Sequence, residues 1–180
     1  FNVSKSTSLQ NWEIENKNIL SNNKIKITSL IHNYDSDDSN NPGFYFLVTI
    51  QNHSAYDISN EVYEPQQFAT SVNPDNDEEL NVYLSNIHRS DEALEYLVNE
   101  LSDRDERYVV LMFGDHQPPI TNKFYATQFG KNVNNLSPKQ QANWYATPYV
   151  IWANYDIPEI ELKAISLNYL STLVMQVADL

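Results

Sequence analysis

Three short apolar runs and one long helical stripe carry most of the hydrophobic signal in this chain. The runs are Phe44–Gln51 (FYFLVTIQ), Tyr108–Phe113 (YVVLMF) and Pro148–Ala153 (PYVIWA), all rich in β-branched and aromatic residues. A strand that is apolar on both faces predicts burial on both faces, the pattern of a parallel sheet covered by helices. Between the first two runs, Leu80, Tyr83, Leu84, Ile87, Leu94, Leu97, Val98 and Leu101 recur at helical spacing, which predicts a helix from Glu78 to about Leu101. Asp75, Asn76 and Asp77 precede it as cap candidates, and Glu78 and Glu79 suit the positive end of its dipole. Ile160 to Leu180 closes the chain with a second helical pattern through Ile165, Leu170, Leu173, Val174 and Val177.

The remaining segments are weaker in pattern. Before residue 43 the large apolar groups are few, and Ile25, Ile27, Leu30, Ile31 and Tyr34 form a short helical stripe. Asp35–Gly43 (DSDDSNNPG) is a loop by composition, because Asp, Asn and Ser bond their own backbone. Asn52–Asp77 has no clear period and contains Pro65 and Pro74, and loops of that length are usually functional or flexible. From Gly114 to Ala146 a polar excursion is expected to be partly helical. Strand, helix, strand, excursion, strand, helix is α/β order and predicts a mostly parallel central sheet flanked by helices. The expected organisation is residues 1–42 as a weakly patterned segment packing on a domain formed by 43–180.

Charge narrows the range of partners. With 24 acidic against 11 basic side chains the net charge is −13. Nucleic-acid binding needs clustered Lys and Arg to displace phosphate counterions, so it is excluded as the main role, and adhesion to an anionic membrane surface is disfavoured. There is no cysteine, which excludes thiol catalysis, disulfides and zinc ribbons. No apolar run approaches the ~20 residues that span a bilayer. The chain opens on Phe1 without a charged-then-apolar leader, which reads as a segment of a larger protein.

Candidate chemistry follows from where the strands end. In open parallel sheets, ligands bind beyond the carboxyl ends of the strands. The first run ends in Gln51-Asn52-His53 and the second in Phe113-Gly114-Asp115-His116, so two of four histidines fall at such ends. Asp115 and His116 offer a hard carboxylate oxygen and an imidazole nitrogen, a set suited to Mn²⁺, Mg²⁺ or Zn²⁺. Gly114 is expected to permit the turn that converges them, and Pro118-Pro119 to stiffen the exit. The bland alternative is a post-strand turn, since two ligands alone do not make a site. His53 lacks a neighbouring acid and reads by itself as a loop histidine. His88 and His32 read as helix-surface or packing residues. The acidic runs Asp35–Asp38 and Asp75–Glu79 lack the alternation and central glycine of a calcium loop. Tyr56, Tyr63 and Tyr145 are candidates for stacking on sugar rings, with core or rim packing as the default.

Taken together, TIQNHSAYD (Thr49–Asp57), LMFGDHQPP (Leu111–Pro119) and TPYVIWANYDI (Thr147–Ile157) resemble, in order and spacing, the C-terminal half of the sulfatase-like domain of lipoteichoic acid synthase-type proteins, in the alkaline phosphatase superfamily. The resemblance covers Gly43 to Leu180. It implies a partial alkaline phosphatase-like α/β domain in which Asp115 and His116 ligate a divalent metal, usually Mn²⁺ with Mg²⁺ or Zn²⁺ as alternatives, and His53 contacts the substrate phosphate. It further implies a covalent phospho-threonine intermediate and passage of glycerophosphate from a phosphatidylglycerol-type headgroup to a growing polymer. The family's nucleophilic Thr and first acidic ligand lie ahead of the matched segment, in the missing N-terminal half of the domain. The isolated chain is therefore expected to be inert and to hold metal weakly. The parent is expected on the outer face of a bacterial membrane, anchored by upstream transmembrane helices. A sulfatase or phosphodiesterase on the same scaffold, and a binding module that has lost the chemistry, are the rival expectations.

Overall fold

The computed structural model describes residues 31, 43–53, 56, 73, 75, 77–160 and 162–179. Its elements are α1 (Glu78–Ser102), β1 (Val109–Phe113), α2 (Asn122–Phe129), a 3₁₀ turn (Val133–Asn135), α3 (Pro138–Tyr145), β2 (Tyr149–Ala153), a second 3₁₀ turn (Leu167–Tyr169) and α4 (Leu170–Val177). The chain divides into two units, Phe1–Leu97 and Val98–Leu180. The expected early helix lies outside the described residues except for Ile31.

In the first unit, α1 starts where the cap candidates predicted. The Asp77 carboxylate accepts from the Leu80 amide at 3.1 Å, satisfying one orphan donor of the first turn. Behind it, buried Asn73 donates to the Asp77 carbonyl at 2.8 Å and to Asn81 Oδ1 at 2.9 Å, and its own Oδ1 accepts from the Asp77 amide. The buried face of α1 is more polar than its stripe suggested. Leu80 and Ala93 are buried, but so are Asn81, Ser85, Asn86 and Ser90, while Ile87 is exposed. Ser85 and Ser90 satisfy their hydroxyls on the carbonyls of Asn81 and Asn86, one turn back, and Ser90 also donates to Asn52. Ile31 and Ala93 form a small cluster with Leu47, Tyr96 and Leu97.

Phe44–Gln51 departs from the expected doubly buried strand. Only Phe44 makes an isolated bridge, and Phe46, Val48 and Ile50 are 70%, 62% and 64% exposed. Its apolarity carries no ladder among the described residues.

The second unit is built on a two-stranded ribbon. Both strands fall within a residue of the predicted runs, but they pair antiparallel, Val109 opposite Ala153 and Phe113 opposite Tyr149, which corrects the expected parallel sheet. The physical reason is that an apolar run reports burial and not strand direction. Here the described core cluster lies on one face. Leu111, Tyr149 and Ile151 lie against Leu170, Leu173 and Val177 of α4, joined by Ile157 and Ile165, whereas Met112 and Val150 on the other face are 40% and 48% exposed. Burying each α4 side chain is worth roughly 1.5–3 kcal/mol over leaving it in water. Asn154 locks the far end of the ribbon. Its amide nitrogen faces the carbonyls of Glu106 at 2.8 Å, Arg104 at 3.1 Å and Leu101 at 3.3 Å, and its oxygen accepts from the Tyr108 amide at 2.8 Å.

The excursion between the strands is partly helical, as its composition predicts. Thr121 caps α2, which ends on Gly130 at φ 65°, a left-handed conformation that favours glycine. Ser137 and Gln140 form a capping box around Pro138 at the start of α3.

Candidate functional site

The ribbon's antiparallel pairing decides what surrounds the Asp-His motif. The end of β1 sits beside the start of β2, so the chain leaving Phe113 meets the chain entering Tyr149. The Gly114 amide donates to the Pro148 carbonyl at 3.1 Å, and the Thr147 hydroxyl donates to the Gly114 carbonyl at 2.7 Å. A Cβ on Gly114 would lie 3.2 Å from Thr147 Cβ. Gly114 is thus needed for this close approach, whereas the sequence suggested a turn.

Asp115 and His116 both face solvent, and their side chains converge. The Asp115 carboxylate accepts from the His116 amide at 3.0 Å, which folds it back over the following residue. His116 Nδ1 lies 2.9 Å from the Gln117 carbonyl. A carbonyl only accepts, so Nδ1 carries the hydrogen in this contact. Nε2 lies 3.6 Å from Asp115 Oδ2. The imidazole nitrogen and the carboxylate oxygen thus lie side by side on an exposed loop. The pair therefore fits two positions of a divalent ion with oxygen and nitrogen donors, with the Nδ1–H bond orienting the ring. Among the described residues no third His, Asp, Glu or Cys joins them, so further donors are needed.

The loop carrying the pair is braced from behind. Gln117 donates its side-chain amide to the Ala146 carbonyl. The Tyr125 phenol donates to the Pro118 carbonyl at 2.7 Å. Burial pushes the Tyr125 pKa above its ordinary 10.0, with a hydrogen bond from Trp144 pulling the other way. Tyr125 also begins a run of rings: its centroid is 5.1 Å from Trp144, which in turn stacks on Tyr145 at 5.9 Å and 20°.

The other sequence candidates are distributed as follows. His53 belongs to the first unit, is exposed, and donates its amide to the Ile50 carbonyl at 3.0 Å in a tight turn. Phe44–Gln51, the run expected to deliver it to a shared sheet edge, forms no strand among the described residues. His88 is a surface residue of α1, 3.6 Å from Glu92 one turn on. Tyr56 is buried and packs edge-on against Tyr83 at 5.3 Å, which removes it as a sugar platform. Tyr145 is 76% exposed. Tyr63, His32 and Asp35–Asp38 lie outside the described residues. Sequence reading missed Gln117, Tyr125 and Thr147; their partners are 29, 7 and 33 positions away, with no local pattern to signal them.

A cavity of about 530 Å³ opens beside the motif, between the start of β2 and the segment leading into α4. Among the described residues, no helix is long and apolar enough to cross a membrane.

Comparison with known proteins gives these features a context. The family model described as Sulfatase matches residues 4–180. The chain is 26% identical over 146 residues to a Rhizobium meliloti (strain 1021) protein named for cyclic beta-1,2-glucan modification, covering 79% of this chain and 23% of that protein. It is 30% identical over 87 residues to the capsular polysaccharide biosynthesis protein RkpI of the same strain, covering 48% of this chain and 14% of that protein. The chain thus spans less than a quarter of the length of either relative. No solved structure matches it.

Proposed function

Because the chain belongs to the sulfatase family, whose members act on sulfate or phosphate esters and are generally metal-dependent, we propose that it carries part of a metal-assisted phosphoryl-transfer site that modifies a bacterial surface polysaccharide. The observation that carries this reading is the Asp115–His116 pair, with the imidazole Nε2 and the carboxylate oxygen 3.6 Å apart just past the end of β1. The names of the two relatives, one for glucan modification and one for capsular polysaccharide biosynthesis, support a glycan as one of the two reactants. The resemblance to lipoteichoic acid synthase-type proteins favours a glycerophospholipid headgroup as the other, with phosphoglycerol as the group moved. The proposed location is the outer face of the cell membrane.

In this reading Asp115 and His116 hold the ion, Mn²⁺ by preference with Mg²⁺ or Zn²⁺ as alternatives, and Gln117 and Tyr125 hold the loop that presents them. A bound divalent ion lowers the nucleophile's pKa and neutralises charge on the phosphoryl oxygens. The Gln117 carbonyl engages His116 Nδ1, so Nε2 would be the ring nitrogen that holds an ion. The exposure of both side chains leaves the pair open to a substrate phosphate. His53 is proposed to contact that phosphate, and the nucleophilic Thr and remaining ligands to come from the N-terminal half of the domain.

The test is an assay of the natural full-length protein with labelled phosphatidylglycerol and a β-linked glucan. Metal-dependent appearance of label on the glucan supports the proposal. Release of labelled glycerophosphate to water identifies a phosphodiesterase. Hydrolysis of a glycan sulfate ester in place of either identifies a sulfatase, and no metal-dependent turnover overturns the enzymatic reading.

A further inference from the structure

We propose that the cavity beside the Asp115–His116 motif is a saccharide subsite that takes a sugar ring bearing an anionic group. The inference rests on the polysaccharide reading above and names where the glycan sits. At about 530 Å³ the cavity falls within the ~300–1,000 Å³ usual for small-molecule sites. Its lining combines three chemistries that a charged sugar requires, contributed by Tyr145, Thr147, Tyr149, Lys163, Ser166 and Leu170 among others.

The aromatic element is Tyr145. It is 76% exposed, although it ends a helix in which Trp144 is partly covered. Its ring lies nearly parallel to that of Trp144, at 5.9 Å and 20°. An exposed aromatic face at a cavity rim is a platform for the apolar C–H face of a pyranose, and the phenol adds a hydrogen bond at the edge.

The polar elements converge from two strands of chain. The Thr147 hydroxyl spends its hydrogen on the Gly114 carbonyl, leaving its oxygen to accept from a sugar hydroxyl. Ser166 precedes the second 3₁₀ turn without capping it through its side chain. Lys163 is the one charged side chain among the described lining residues, and no carboxylate accompanies it there. In a chain of net charge −13, the Lys163 ammonium in this lining offers a contact for an anionic substituent.

Position connects the cavity to the chemistry. Thr147 is bonded to Gly114, and Ala146, also in the lining, accepts from Gln117, so the rim is tied to the residues on either side of the Asp-His pair. A sugar held there would present its ester or its acceptor hydroxyl next to that pair.

Binding to the full chain tests the inference, followed by Trp144 fluorescence and calorimetry with glucose, glucose 6-phosphate and inorganic phosphate. Glucose 6-phosphate is expected to bind, with glucose and phosphate each about tenfold weaker. Tyr145→Ala should weaken both sugars about tenfold, and Lys163→Met should abolish the preference for the phosphorylated one. Both side chains are exposed, so folding is expected to be unaffected, which circular dichroism checks. His116→Ala should leave binding intact. Sugar binding by a full-length parent that shows no metal-dependent turnover would remove the catalytic reading while sparing the subsite. Phosphate binding as tightly as glucose 6-phosphate would reduce the site to an anion site. No saturable sugar binding, or binding indifferent to both substitutions, would overturn the proposal.

Discussion

The Tyr125 hydroxyl donates to the Pro118 carbonyl at 2.7 Å, anchoring the loop that follows the Asp-His pair to the helix after it. Proline supplies no amide hydrogen, so neither Pro118 nor Pro119 can hold this loop through its own backbone N–H. The loop is held instead through the Pro118 carbonyl, which accepts from the Tyr125 hydroxyl and from the Ile120 amide at 2.8 Å. The ring that provides the hydroxyl is buried, and that burial gives the loop a measurable signature.

Tyr125→Phe is expected to cost about 1 kcal/mol, the usual net worth of one such hydrogen bond. The same residue sets an alkaline limit. Its folded-state pKa is raised above the ordinary 10.0, so below pH 10 the phenol is neutral in both states and its full contribution is present. As pH rises past 10 the unfolded state ionises first, and stability falls until the folded-state pKa is passed. Urea denaturation between pH 8 and pH 11 should show this component in the parent and its absence in Tyr125→Phe.

His116→Ala and Asp115→Asn in the full-length protein should each lower metal-dependent turnover about a hundredfold or more, through lost metal affinity. Both side chains are exposed and bury little apolar surface, so unfolding free energy should move by no more than about 0.5 kcal/mol. Near-normal turnover in either variant would remove that residue from the ligand set.

Chelation should act in the same direction. Dialysis against EDTA is expected to abolish turnover of the full-length protein, and added Mn²⁺ to restore it in the parent but not in His116→Ala. Activity that persists after the bound metal has been shown to be gone would count against any metal role for the pair.

Asn154→Ala should be among the most destabilising single changes in the second unit. It strands the Tyr108 amide and withdraws the donor shared by three carbonyls, at a cost of about 2–3 kcal/mol in thermal or urea unfolding. Asn154→Asp, which keeps the acceptor but turns a charge toward those carbonyls, should be at least as damaging.

Gly114→Ala brings a methyl to 3.2 Å from Thr147 Cβ, so the two strand ends must part by a few tenths of an ångström. The expected cost is about 1–2 kcal/mol. A larger proportional loss of turnover than of stability would show that spacing at this junction positions the pair.

What could be read from the sequence was whatever has a short period or a fixed neighbour. The α1 helix and its Asp77 cap, the strands β1 and β2, and the Asp115–His116 pair all follow from residues within a turn or a strand of one another. Strand direction did not follow, because Tyr108–Phe113 and Pro148–Ala153 record how apolar their surroundings are and not which way a neighbour runs. Phe44–Gln51 misled for the same reason, since hydrophobicity alone does not supply a partner strand. The polar stretch of α1 around Asn81, Ser85 and Ser90 was hidden because small hydroxyls satisfied on their own helix are invisible to a hydrophobic count. Asn154 and Gln117 were illegible altogether; each works through carbonyls 29 to 53 positions away.

Thr147 and Gly114, 33 positions apart, touch at the base of the segment between the strands, and that closure has an evolutionary corollary. The stretch from Asp115 to Ala146 is thereby closed at its base by the ribbon, so exposed positions such as Lys131 and Asn134 can be exchanged while the junction beside the acid–imidazole couple keeps its shape.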